Sequence, residues 1–282
     1  MGDALTGVAV ILAAAAILAG AVVLARSVLP LVRSRDRVRL RDEPIPDGWS
    51  AIVDRNVPLA RGLSTEDRKR LLRLIQVFVH DKVFEGCGGL AITDEMKVTI
   101  AAHACLLLLH LDGPCYPTVD RILVYPTAFV PKHVVRYRSS GIQPVAVPET
   151  GESWQDGVVV LSWDDVRSGA SNPADGDNVV LHEFAHQLDQ EDGMGGGTPV
   201  LESPSLLRTW GRVLAAHYEQ LRRDAGEGRP TVLNAYGATN PAEFFAVATE
   251  TFFEKPQQLQ AAEPDLYAEL KEYYHQDPAA GR

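Results

Sequence analysis

Apolar residues recur at the helical period over most of the chain, with two short β-like runs in the middle. The first element has no polar face at all: residues 5–24, LTGVAVILAAAAILAGAVVL, carry no charge. Twenty residues at 1.5 Å rise each match a hydrocarbon core of roughly 30 Å, so this run predicts a membrane span. Residues 42–63 hold three prolines and two glycines and read as a linker. Ser64 then offers an N-cap with Asp67 three residues on, followed by apolar residues at Leu71, Leu74, Ile75 and Phe78, the pattern of an amphipathic helix. Residues 93–110 are apolar nearly all round after the first turn, which predicts a buried helix.

RILVYP at 121–126 and GVVVLSW at 157–163 read as strands, separated by a loop containing proline and glycine. Helical periodicity returns around residue 182 and over 205–224, 241–254 and 264–275. Helices, a few strands and then helices again predict an α+β domain that is mostly helical with a small β-sheet. The expected organisation is a membrane anchor at 1–25, a basic collar and linker at 26–63, and a catalytic domain at 64–282.

Charge sharpens the membrane reading. Arg26, Arg33, Arg35, Arg37, Arg39 and Arg41 follow the apolar run while only Asp3 precedes it, so the positive-inside rule places the C-terminal side in the cytoplasm. Val23-Leu24-Ala25 loosely resembles a cleavage site, but a signal peptide carries its positive charge ahead of the apolar stretch. The expectation is an uncleaved single-pass anchor in the cytoplasmic membrane. From residue 42 onward, 21 bases face 35 acids, a balance that argues against nonspecific nucleic-acid binding. Cys87, Cys105 and Cys115 are too few for a disulfide framework and fit a reducing compartment.

The chemistry lies in VVLHEFAHQLDQED, residues 179–192. His182 and His186 are four apart, so on a helix their rings share a face and can hold one ion. Glu183 projects beside that face. This is the HExxH arrangement, in which zinc activates water and polarises the scissile carbonyl while the glutamate carries the proton. Two partly exposed helix histidines would look the same in isolation.

A catalytic zinc takes three protein ligands and keeps one position open. Asp192 lies six residues after His186, but a ligand so close needs a chain reversal, usually at glycine, where this chain has Asp189. Glu243 and Glu250 lie in NAYGATNPAEFFAVATETFFEKP, seven apart and on one helix face. Asn240 and Pro241 read as N-cap and first helical residue, which makes Glu243 a capping-box glutamate and competes with metal binding. On spacing, all three acids stay open.

HEFAHQLD together with YGATNPAEFFAVATETFFEKP resembles the Mlc titration factor A family of bacterial zinc peptidases and, more distantly, the catalytic domain of anthrax lethal factor. The resemblance also takes in AAHACLLLL at 101–109, ILVYPTAF at 122–129 and GVVVLSWDDV at 157–166. It implies a zincin-like metallopeptidase fold holding one Zn2+ per chain, with His182, His186 and Glu243 as ligands. It further implies Glu183 as general base and Tyr236 as oxyanion donor, which leaves Glu250 either to orient a histidine or to stand as a charge on the helix face. The apolar N-terminus and its arginines depart from the family's soluble members.

The resulting expectation is a peptidase acting on a peptide or protein substrate, with aminopeptidase-like trimming and internal cleavage both open. A regulatory module that sequesters a transcriptional repressor is the alternative. GMGGGTP at 193–199 lacks the Gly-Lys-Ser/Thr ending of a phosphate loop and reads as a flexible loop beside the cleft. GVVVLSW reads either as a substrate-pairing edge strand or as a central core strand.

Overall fold

In the computed structural model every residue from Val98 to Leu107 is buried, and this central helix, α3 (Asp94–Leu107), organises the rest. Its start is fixed by Thr93, whose hydroxyl accepts the Met96 N–H at 3.3 Å. The structure describes residues 43–127, 157–201 and 203–280. The expected membrane span at 5–24, the arginines at 26–41 and most of the expected loop between the strands lie outside the described residues. Among the described residues no helix is long and apolar enough to cross a membrane.

Two earlier helices pack on α3: α1 (Trp49–Asn56) and α2 (Thr65–Asp81). Ser64 caps α2 as its sequence predicts, accepting the Asp67 N–H at 3.0 Å. The linker expected at 42–63 is corrected by α1 and by a 3-10 turn at Pro58–Gly62. Trp49, Val53 and Val57 are buried at the i, i+4 spacing of a helix face, and the surrounding prolines and glycines bound the helix rather than exclude it.

A three-stranded parallel sheet lies between the helical segments, in the order β1 (Val83–Gly86), β2 (Arg121–Tyr125), β3 (Val158–Ser162). Val83 pairs with Arg121 and Arg121 with Val158. Ile122, Val124, Val159 and Leu161 are buried in alternation, as strands with one covered face require. Trp163, expected in the last strand, instead opens α4 (Trp163–Ser171), because Ser162 caps it through the Asp165 N–H at 3.1 Å. Among the described residues β3 is an edge of the sheet.

The C-terminal half comprises α5 (Val179–Asp189), α6 (Pro204–Gly226), α7 (Pro241–Glu254), α8 (Pro256–Ala262) and α9 (Pro264–Tyr274). The last four each begin with proline, whose missing N–H costs nothing in a first turn. Every residue of α7 from Phe244 to Glu254 is buried, and α7 packs along α5. The described fold is therefore α+β and mostly helical.

Candidate metal centre

Helix α5 begins at Asn178, whose Oδ1 accepts the Leu181 N–H at 3.1 Å. Asp175 and Asp177 sit in the preceding turn, where Asp175 accepts the Asp177 N–H at 3.1 Å. Val180, Leu181, Phe184, Ala185 and Leu188 turn into the core. Phe184 lies against Tyr116 and Phe78, with centroids at 4.7 and 5.5 Å, which locks the back of the helix. His182 and His186 are left on the opposite side, each side chain 13% exposed.

Helix α7 supplies the third group. Asn240 accepts the Glu243 N–H at 2.9 Å, so the backbone half of the expected cap forms. The Glu243 carboxylate turns away from the cap and meets the histidines instead. Its Oε2 lies 2.9 Å from His182 Nε2 and 3.4 Å from His186 Nε2, and the two Nε2 atoms are 3.2 Å apart. A tetrahedral ion bound at about 2.0–2.1 Å separates its ligand atoms by roughly 3.3 Å, so the three edges fit one small cation. Two imidazoles and a carboxylate are also the donor set that suits zinc. Among the described residues, His182, His186 and Glu243 form the one such cluster.

Glu250 stands behind the cluster. It accepts the Nδ1–H of His182 at 2.7 Å and the Asn178 N–H at 2.6 Å. Burial alone would push the His182 imidazole down, but Glu250 and Glu243 outweigh it and bring it up to about 9. Burial likewise works against the charge on Glu243, yet the two histidines hold its carboxyl well below the usual range.

The remaining predicted residues fall around this centre. Glu183 is buried on α5 immediately after His182, at 1% exposure. Tyr236 lies in a 3-10 turn at Ala235–Ala238, its ring centroid 6.0 Å from that of His182. Asp192 is not part of the cluster: it is exposed and accepts the Met194 N–H at 2.8 Å in a turn. The glycine-rich loop is held more firmly than its composition suggests. Asp189 accepts the Gly197 N–H at 2.8 Å, Trp210 donates to the Gly197 carbonyl at 3.3 Å, and a Cβ at Gly197 would lie 2.3 Å from the Pro241 carbonyl at the start of α7.

Sequence reasoning missed Glu254, which is 2% exposed and accepts three N–H groups from residues 176–178. Burial pushes its carboxyl up to about 8. Its spacing of four from Glu250 was the available signal.

Two histidines one turn apart on a helix, closed by a carboxylate from a second buried helix, form a group that could hold a metal ion. The chain belongs to the family described as glucose-regulated metallo-peptidase M90, whose profile matches residues 31–275. It is 41% identical over 241 residues to an uncharacterized protein of Synechocystis, covering 85% of this chain and 88% of that one. It is 32% identical to Mlc titration factor A of Serratia proteamaculans over 79% of this chain and 86% of that protein. The protein of the same name from Cronobacter sakazakii is 31% identical over 83% and 87%, respectively.

Proposed function

We propose that this chain is a zinc-dependent metallopeptidase that hydrolyses peptide bonds. The observation that carries the reading is the meeting of His182 Nε2, His186 Nε2 and Glu243 Oε2 within hydrogen-bond distances of one another. These three would hold the ion, which supplies a Lewis acid for the scissile carbonyl and lowers the pKa of water. Glu250 keeps the His182 ring oriented through Nδ1. Glu183 takes the proton of the attacking water and returns it to the leaving amine nitrogen. Tyr236 donates its hydroxyl to the carbonyl oxygen as negative charge develops there.

The apolar run at 5–24 and the arginines behind it support a catalytic unit tethered to the cytoplasmic face of a membrane. The name of its relatives, Mlc titration factor A, supports a transcriptional regulator as a further partner. Peptide cleavage by the purified chain tests the enzymatic reading. Cleavage should stop on chelation and return with zinc; cleavage indifferent to chelation would rule the reading out.

A further inference from the structure

Glu243, Glu250 and Glu254 are seven and four residues apart, so they stack along one face of α7. The first meets the histidines and the second holds His182. The third has no part in the chemistry above, yet it is as deeply buried. Its Oε2 accepts the N–H groups of Gly176 and Asp177 at 3.0 and 3.2 Å, and its Oε1 accepts Asn178 Nδ2 at 3.0 Å. Asn178 also donates its own N–H to Glu250 at 2.6 Å. The three residues leading into α5 thus make four hydrogen bonds to two carboxylates of α7. The approach is close: Gly176 has φ +73°, and a Cβ there would lie 3.1 Å from Lys255 Cδ.

We propose that Glu254 and Asn178 are positioning residues, which set where α5 begins along α7 and thereby hold His182 Nε2 opposite Glu243. The proposal rests on the metal-site reading above. Capping alone does not require this clamp, since a serine at 178 would still accept the Leu181 N–H. Register does require it. A slip of one residue moves a helix 1.5 Å along its axis and turns it by 100°, enough to carry His182 off Glu243.

The test uses cobalt(II) as the probe, with affinity measured by chelator competition and geometry read from its visible bands. Asn178→Ser keeps the cap but is too short to reach Glu254, and Glu254→Ala removes the clamp. Each should weaken cobalt binding about 10- to 100-fold, the range for groups behind a metal ligand, and alter the visible bands. Glu254→Gln keeps one oxygen for the Gly176 and Asp177 N–H groups but sets its amide NH2 against Asn178 Nδ2, a second donor, and should lose affinity as Asn178→Ser does. If Glu254→Ala does not fold, Asn178→Ser decides. Folded variants with wild-type affinity and bands would overturn the proposal.

Should the wild-type chain bind no cobalt, the metal-site reading itself fails, and imidazole 1H–15N spectra of the metal-free protein then decide the positioning. The His182 ring resonances should move in Asn178→Ser while those of His217, paired with Glu263 at 2.9 Å, stay put. An unmoved His182 would overturn it.

Discussion

His182 donates its Nδ1 proton to Glu250 at 2.7 Å, and this contact decides which ring nitrogen faces Glu243 and His186. The ring lies between two carboxylates, with Nε2 2.9 Å from Glu243 Oε2. A cation would take the place of the Nε2 proton, while Nδ1 and Glu250 stay as they are. The two acids that spacing could not rank thus have separate places, one on each side of the same imidazole.

Glu250→Ala should therefore weaken metal binding without abolishing it, by about 10- to 100-fold, whereas Glu243→Ala would remove a proposed ligand and should cost more. Glu250→Ala also leaves the buried Asn178 N–H without its acceptor, at about 1–3 kcal/mol of stability. Metal competition titrations and denaturant melts on both variants check the order. Equal losses would place Glu250 and Glu243 in the same role.

Tyr236→Phe keeps the ring beside His182 and removes only the hydroxyl. If the hydroxyl meets charge that forms during the reaction, kcat should fall about 100- to 1000-fold with KM little changed. A rise in KM at constant kcat would make Tyr236 a substrate-binding residue instead.

His103 sets a pH dependence of stability. Burial pushes this imidazole down to about 4, although its Nδ1 donates to the Thr99 carbonyl at 2.9 Å. Below pH 6.5 the unfolded chain takes up a proton that the folded chain refuses. Stability is then lost as pH falls from 6.5 toward 4, by about 3 kcal/mol in all. His103→Leu should flatten urea-unfolding free energies over that window; an unchanged slope would assign the acid sensitivity elsewhere.

Gly197→Ala meets two obstacles, a φ of +79° and the Pro241 carbonyl 2.3 Å from the new Cβ. Gly193, at φ +82°, has nothing within 4 Å of a Cβ. Strain and overpacking together should cost Gly197→Ala about 2–5 kcal/mol, while Gly193→Ala should cost about 1–2. Thermal melts of the two variants check the comparison. Equal costs would show that the loop is not held against α7.

Much of this was legible because the elements that form the centre announce their own ends. Asn240 and Pro241 mark the start of α7, and HEFAH repeats at one turn on an apolar helix. The resemblance to the Mlc titration factor A family agrees with the family to which the chain belongs. Three features were hidden for physical reasons. Strand β1 is four residues long and mostly exposed, so it carries no alternation to read. Helix α1 lies among prolines and glycines that look like a linker until Trp49, Val53 and Val57 are seen in the core. Glu254 works by accepting two backbone N–H groups and the Asn178 side-chain amide from a turn 76–78 residues away, a use to which its spacing of four from Glu250 is the one local clue.

The most direct measurement compares metal content and peptide hydrolysis of the wild-type chain and Glu183→Gln. The substitution leaves His182, His186 and Glu243 intact, so both proteins should bind one zinc with similar affinity. Only the wild type should cleave, with the variant slower by about 100- to 10,000-fold. Hydrolysis at the wild-type rate by the zinc-loaded variant would contradict the account.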